Sequence, residues 1–279
     1  MKYHLIVPAF LSLAMASSAK DEGAAVKAVF PQDFEEISQA DYASTWQKLS
    51  NQFIWPGKVW PRCDVTVNGG DLSVKFLPPT ELEARPWPPQ QVGFSTDMSA
   101  VNRRFKEPTQ MMPLGERGWV CDYSHGEFGN GCWIMSLDGK TKDFLTGHEV
   151  VSMRKSQNKY FVTTYDSAKY TSAFSELNLS GKPKLQVLFE SMFPLEILDS
   201  EDDGSVYLIS EEQLCRWNVK DRTSVSIRFP GDFLPYLAAD AHTACAIGGR
   251  YWIGGTGVLC SLDPFSADLS IRVYVPKRK

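Results

Sequence analysis

The stretch Ile134-Met135-Ser136-Leu137-Asp138 has three counterparts further along the chain, at 176–180, 216–220 and 259–263. The counterparts are Glu176-Leu177-Asn178-Leu179-Ser180, Arg216-Trp217-Asn218-Val219-Lys220 and Leu259-Cys260-Ser261-Leu262-Asp263. Each ends a β-prone run at a polar turn. Their starting residues recur every 40 to 43 positions, so the chain contains an internal repeat.

The sequence around each copy repeats as well. The β-prone runs that follow the four turns are Lys142–Leu145, Leu185–Phe189, Ser224–Phe229 and Leu269–Val275. The aromatic runs that precede them are Trp119–Tyr123, Tyr160–Tyr165, Val206–Ile209 and Tyr251–Gly254. A period of about 40 residues with several strands in each unit is typical of a four-stranded propeller blade. We therefore predict an all-β, β-propeller-like array of four repeats.

Three runs upstream add to this pattern. Gln52–Trp60, Cys63–Val67 and Leu72–Leu77 predict further strands, which would build a fifth blade or close the ring. The alternative is a β-sandwich, whose strands also recur every 8–12 residues or so. Strand spacing fits both folds, whereas the 40-residue repeat favours the propeller.

One repeat resembles a known family. Gly249-Arg250-Tyr251-Trp252-Ile253-Gly254-Gly255-Thr256-Gly257-Val258-Leu259 is similar to the G-x-x-W-I-G-T-x-x-G-L blade of extracytoplasmic propellers in bacterial sensor proteins. Asp203-Gly204-Ser205-Val206-Tyr207-Leu208 is a fainter copy. The resemblance implies a propeller fold outside the cytoplasm, and it assigns no active residue, because fold alone does not determine function.

The N-terminus predicts export. Lys2 precedes the apolar stretch Leu5–Ala16, and Ser17-Ser18-Ala19 offers the small residues of a cleavage site. We predict a signal peptide over residues 1–19 and a periplasmic or secreted protein. No later run reaches the roughly 20 apolar residues of a membrane span, so membrane insertion is not expected.

The mature chain is predicted to have two parts. Residues 20–51 form an N-terminal extension with one helix at about Gln39–Ser50, because Ser38 and Asp41 are spaced as a capping box. Residues 52–279 form the propeller-like domain. Its segment 77–112 contains Pro78, Pro79, Pro86, Pro88, Pro89 and Pro108, which predicts a long loop and a candidate contact surface.

The charge and the cysteine content limit the classes of ligand and of structural site that we expect. The formal charge is −4, and a nucleic-acid ligand is not expected without clustered Lys and Arg. The six cysteines of an exported chain predict disulfides, for which Cys121 with Cys132 and Cys245 with Cys260 are our candidates. Cys-x-x-Cys and His-Glu-x-x-His are absent from the sequence, so no metal site is predicted from such motifs.

The run Asp199-Ser200-Glu201-Asp202-Asp203-Gly204 concentrates negative charge. Asp199, Glu201, Asp202 and Asp203 are candidate partner-binding residues, because a basic cleft on another protein would be attracted to them. A calcium site at Asp199, Glu201 and Asp203 is the alternative, although the closing Glu of a calcium loop is replaced by Ser210.

Trp87, inside the proline-rich loop, is the remaining candidate for partner binding. Exposed Trp stacks on sugars and anchors protein interfaces. The cluster around His125 contains a Ser and carboxylates but fits an ordinary polar turn, and no catalytic residue is predicted. We expect a non-catalytic binding protein that recognises another protein, as an inhibitor or immunity protein does. The alternatives are a carbohydrate-binding or glycan-processing propeller and a small-ligand sensor domain.

Overall fold

The chain folds mostly into β-strands. The computed structural model describes residues 34–51, 62–77, 108, 110–123, 131–229, 241–263 and 271–277. Within these ranges, nineteen strands form five antiparallel sheets, and there is one α-helix, α1 (Gln39–Asn51). The all-β prediction is confirmed at this level. The one helix in the described residues has neither the length nor the apolar character needed to cross a bilayer.

Four sheets follow one another along the chain, and each is built from four consecutive strands. Sheet I contains β4 (Gln110–Pro113), β5 (Trp119–Asp122), β6 (Cys132–Met135) and β7 (Lys142–Thr146). Sheet II contains β8 (Glu149–Ser156), β9 (Lys159–Asp166), β10 (Thr171–Asn178) and β11 (Lys184–Ser191). Sheet III contains β12 (Glu196–Leu198), β13 (Ser205–Ile209), β14 (Gln213–Asn218) and β15 (Thr223–Arg228). Sheet IV contains β16 (Ala241–Ile247), β17 (Arg250–Gly255), β18 (Val258–Leu262) and β19 (Ile271–Pro276).

The repeated segments take the same place in every sheet. Each one covers the end of the third strand, the aromatic run before it forms the second strand, and the run after it forms the fourth. In sheet II, for example, Ser175 pairs with Val162 on the second strand and with Val187 on the fourth. The sequence repeat is therefore a repeat of strand order.

Buried side chains of neighbouring sheets pack against each other. Val120 and Ile134 of sheet I pack with Val162 of sheet II. Phe174 of sheet II meets Trp217 of sheet III edge-on, with their ring centroids 5.8 Å apart. The cluster between sheets III and IV includes Leu198, Tyr207, Ile209, Ile253 and Val258. Because each sheet has an apolar face toward the next one, the apolar cores lie between consecutive sheets.

The first strands of sheets II, III and IV lie beside one another. The Ser152 hydroxyl of β8 accepts a hydrogen bond from Ile197 N of β12 at 2.8 Å. At the end of β12, Asp199 N donates to His242 O of β16, and Ala244 N donates to Asp199 O, both at 2.8 Å. Asp199 and Thr243 form a parallel bridge. The short strand β12, with Asp199 after it, therefore lies between β8 of sheet II and β16 of sheet IV.

The N-terminal elements pack on sheet IV. Strand β1 (Phe34–Ile37) pairs with β19 and becomes its fifth strand, with Phe34 opposite Pro276. The predicted cap is confirmed, because the Ser38 hydroxyl accepts a hydrogen bond from Asp41 N at 3.0 Å. Tyr42 of α1 is buried in the core between sheets III and IV. Residues 34–51 therefore contribute to the same body as the C-terminal strands.

A hairpin of β2 (Arg62–Asn68) and β3 (Asp71–Leu77) covers the other face of sheet IV. Val65 N donates a hydrogen bond to the Thr243 hydroxyl at 2.9 Å. A Cβ atom on Gly254 would overlap the carbonyl oxygen of Cys63, so this position accepts no side chain. The predicted strands 63–67 and 72–77 therefore form a two-stranded unit.

The structure does not contain the predicted disulfides, and all six cysteines are buried. Cys121 lies opposite Trp133, whereas Cys132 lies opposite Asp122, so the two thiols point to opposite faces of sheet I. Cys245 and Cys260 are on β16 and β18, with β17 between them. Burial raises the pKa of Cys121 and of Cys245 to about 12, which keeps both thiols protonated at neutral pH.

Some predictions fall on other parts of the chain. The signal peptide 1–19, the predicted strand 52–60 and most of the proline-rich loop, residues 78–107 and 109, lie outside the described residues. The predicted loop 77–112 is shorter at both ends, since Leu77 belongs to β3, and Met111 and Met112 belong to β4.

Candidate functional site

The predicted acidic residues lie in the connection between β12 and β13, residues 199–204, which we call the acidic loop. Asp199, Glu201 and Asp203 are exposed, whereas Asp202 is half-buried. The four predicted side chains thus lie in one segment. Three of them face solvent, and Asp202 makes its contacts within the protein.

Asp202 holds the loop from within. One carboxylate oxygen accepts a hydrogen bond from Gly204 N at 2.9 Å. The other accepts one from the Tyr207 hydroxyl at 3.3 Å and lies 3.4 Å from an Arg216 guanidinium nitrogen. Burial alone would raise the pKa of Asp202, but hydrogen bonds from Ser205 and Gly204 and the charge of Arg216 outweigh it and lower that pKa. Asp202 is therefore ionised and turned inward at neutral pH.

Arg154, on β8 of the neighbouring sheet, binds the backbone of the loop. Its guanidinium donates hydrogen bonds to the carbonyl oxygens of Leu198 at 3.5 Å, of Ser200, and of Asp202 at 3.1 Å. Burial lowers the pKa of Arg154, although the carboxylates of Asp199, Asp202 and Asp203 oppose that shift. An arginine stays protonated under these conditions. The Arg154 guanidinium thus satisfies three backbone carbonyl groups in and next to the loop.

The turn between β8 and β9 fixes the far end of the loop. Gln157 N donates a hydrogen bond to a carboxylate oxygen of Asp203 at 2.8 Å, and the Ser156 hydroxyl donates to Asp203 O. Gln157 and Asn158 have φ values of 47° and 62°, the left-handed conformation of a tight hairpin turn. The acidic loop is therefore attached to sheet II by hydrogen bonds along most of its length.

The loop presents negative charge from a fixed backbone. Asp199 is held by its backbone bonds to β16, while Glu201 and Asp203 project from the segment between Arg154 and the Gln157 turn. A fixed group of exposed carboxylates creates a local negative potential that attracts cationic partners. The described residues include no group of three or more His, Cys, Asp or Glu arranged to hold a metal ion. The calcium alternative at Asp199, Glu201 and Asp203 therefore lacks a preformed ligand set.

The other predicted positions are not tested by this structure. Trp87, and Ser124, His125 and Glu127, lie outside the described residues, whereas Asp122 of the same cluster is buried and accepts a hydrogen bond from Val150 N at 3.1 Å. The protein-contact and glycan-binding roles of Trp87 stay predictions.

No family model and no curated protein matches the chain. A solved structure described as the "extracellular domain of the putative one component system BT4673 from B. thetaiotaomicron" is 10% identical over 62% of this chain and 39% of that chain. Its TM-score is 0.21, which is too low to support an argument about fold or function.

The carboxylates of the loop were predictable from the sequence, whereas their hydrogen-bonding partners were not. Arg154 and Gln157 lie more than 40 residues before the loop. Arg216 belongs to a repeated segment, where its position suggested only the end of a strand. In the sequence these residues look like ordinary surface polar groups, and only the packing of sheets II and III brings them to the loop.

Proposed function

We propose that this chain is an exported, non-catalytic binding protein with a propeller-like body, and that it recognises another protein through the acidic loop. A basic protein fits this surface best, because the exposed side chains of the loop are carboxylates. An inhibitor or immunity protein that covers a cationic enzyme or toxin belongs to this class.

The sheet order supports the propeller-like arrangement. Sheets I to IV follow one another along the chain, share apolar cores in that order, and bring β8, β12 and β16 side by side. In a propeller, the first strand of each blade lies nearest the central axis. A two-sheet sandwich would instead pair two larger sheets face to face. The repeat at 249–259, which resembles a sensor-type blade, is in keeping with this arrangement.

The observation that carries the binding proposal is the hydrogen bonding of the acidic loop to sheet II. Arg154 and the Gln157 turn hold the loop before any partner arrives. A surface that is already ordered loses less conformational entropy when it binds. The loop therefore combines charge with pre-organisation, which an arbitrary acidic surface segment lacks.

The test is a pull-down with the mature protein from periplasmic extract or culture fluid, followed by affinity measurement on the captured protein. Glu201→Lys reverses a charge at the exposed centre of the loop. We expect this change to weaken binding about tenfold or more, because it replaces an attraction by a repulsion. The weakening should diminish at 0.5 M NaCl, where exposed charges are screened.

Glu211→Lys is the matched control. Glu211 is exposed in the turn between β13 and β14, at the opposite end of sheet III, and its replacement changes the net charge by the same amount. The proposal predicts wild-type affinity for this variant. Equal losses in both variants, or repeated capture of no protein at all, would contradict the proposal.

A further inference from the structure

A cleft of about 610 Å³ opens between sheets I and II, on the other side of the Gln157-Asn158 turn from the acidic loop. Its walls come from the segment between β4 and β5, the β8–β9 hairpin and the end of β10. The residues that matter for its chemistry are Glu116, Arg117, Lys155, Lys159, Tyr160 and Glu176. Its volume is within the range of pockets that hold small organic ligands.

One of the two lining carboxylates is already compensated. Glu176 lies 3.2 Å from the ammonium of Lys159 and 2.9 Å from the guanidinium of Arg222, which extends from the β14–β15 turn of sheet III. Two cations thus share one anion at this wall. The negative charge of Glu176 therefore does little to repel an anion that enters the cleft.

Two further cations have no carboxylate partner among the described residues. In the part of the chain that the structure describes, neither Arg117 nor Lys155 forms an ion pair. Arg117 donates a hydrogen bond to Leu179 O at 2.9 Å, which fixes it at the cleft wall. The Lys155 ammonium lies 5.9 Å from the centroid of the Tyr160 ring. Both side chains are exposed, so their charges are available to a ligand.

Neutral hydrogen-bonding groups complete the lining. Tyr160, Asn158, Asn178 and Ser180 all border the cleft. Gly115 lies close to the Tyr160 hydroxyl, since a Cβ atom on Gly115 would be 3.9 Å from it. An organic molecule with hydroxyl as well as charged oxygen atoms would find partners for both kinds of group here.

We propose that this cleft binds a small organic anion with two or more oxyanion groups, held by Arg117 and Lys155. Guanidinium and ammonium groups form their strongest hydrogen bonds with charged oxygens. Glu116, next to Arg117, is the remaining lining carboxylate, and it would discriminate against ligands whose charge lies at the mouth on that side. This inference stands apart from the protein-binding proposal, because it uses different side chains and a different ligand class.

The test is isothermal titration of the mature protein at low salt with three probes: trigalacturonate, citrate and pyrophosphate. They present oxyanions on a sugar, on a small carboxylic acid and as phosphate. We expect one class to bind clearly more tightly than the other two. Arg117→Ala and Lys155→Ala should each weaken that binding about tenfold, since each removes a charge-assisted hydrogen bond.

Glu116→Gln gives the result that a merely structural role would not produce. This change removes the exposed carboxylate beside Arg117, so anion binding should become several-fold tighter. Lys169→Ala is the matched control, because Lys169 is an exposed lysine in the β9–β10 turn at the opposite end of sheet II. The Lys169→Ala variant should bind the anion as tightly as the wild type does.

Three results would overturn the proposal. The first is no binding of any probe in the millimolar range. The second is equal, weak binding of all three probes, which indicates unspecific charge attraction. The third is binding that is unchanged in Arg117→Ala and Lys155→Ala while thermal melting shows that both variants are folded.

Discussion

The acidic loop and the cationic cleft lie on either side of one turn, Gln157-Asn158, and each takes a cation from strand β8. Successive side chains of a strand point to opposite faces of the sheet. Arg154 therefore reaches toward sheet III, where it meets backbone carbonyls, and its neighbour Lys155 faces the cleft beside sheet I. Two adjacent positive charges thus serve two different regions.

The difference between these regions lies in what each cation contacts. Arg154 is surrounded by carbonyl oxygens and the carboxylates of the loop, so its guanidinium is already engaged in hydrogen bonds within the fold. Lys155 has only an aromatic ring as a charge-stabilising partner among the described residues, and its ammonium is exposed. A charge that is already used by the fold thus shapes a binding surface, whereas an unused charge can take part in binding directly.

The largest expected effect comes from Arg154→Ala. This change removes the donor to the carbonyls of Ser200 and Asp202 and leaves part-buried acceptors without a partner. We expect the free energy of unfolding to fall by about 2–4 kcal/mol. Urea denaturation followed by circular dichroism measures this change.

Arg154→Lys is the control for charge alone. A lysine keeps the positive charge but lacks the planar guanidinium that spans several carbonyls, so an intermediate loss is expected. An unfolding midpoint for Arg154→Ala equal to that of the wild type would remove the distinction between the two regions.

A smaller effect is expected from Asp202→Asn, and it depends on pH. Because the folded-state pKa of Asp202 lies below its ordinary value of 3.8, its stabilisation is present above pH 3.8 and is lost as the pH falls through the lowered pKa. At pH 7 the variant should be less stable by about 1 kcal/mol or less, since the pair with Arg216 is partly exposed. Urea titrations at pH 7 and at the lowest pH where the fold persists should show the difference shrinking; a constant difference would contradict this account.

The smallest effect is expected from Lys155→Ala. An exposed lysine without an ion pair contributes little to folding, so the free energy of unfolding should change by less than about 0.5 kcal/mol. In the double variant with Arg154→Ala, the two changes should add within about 0.5 kcal/mol, because the side chains share no partner. A larger coupling, measured by the same denaturation experiment, would show that the loop and the cleft form one unit.

Much of the strand pattern was predictable from the sequence. The second, third and fourth strands of sheets I to IV are rich in aromatic and β-branched residues and end at polar turns, so their positions were found within a few residues. The helix was found from the Ser38 cap. The first strands were missed because the repeated runs do not cover them, and β4 and β12 have only four and three residues. Strand β1 was missed as well, because its pairing with β19 joins distant parts of the chain.

The candidate site was predictable only in part. Clustered carboxylates are visible in a sequence, and all four predicted acids do lie in one loop. The cations that organise the loop and the cleft are scattered over residues 117 to 222, and nothing local distinguishes Arg154 or Lys155 from solvated surface residues. The disulfide predictions failed because proximity in sequence ignored the alternation of faces, which separates Cys121 from Cys132.

The pairing of β1 with β19 has a consequence for biogenesis. Phe34–Ile37 is synthesised before sheets I to III, but its hydrogen-bonding partner β19 is synthesised after them. Until then, the edge of the N-terminal segment is open to other chains, and sheets II and III can already assemble from local hairpins. Completion of sheet IV is therefore a late event, and a stalled or prematurely ended nascent chain would expose its unsatisfied edge to chaperones and proteases.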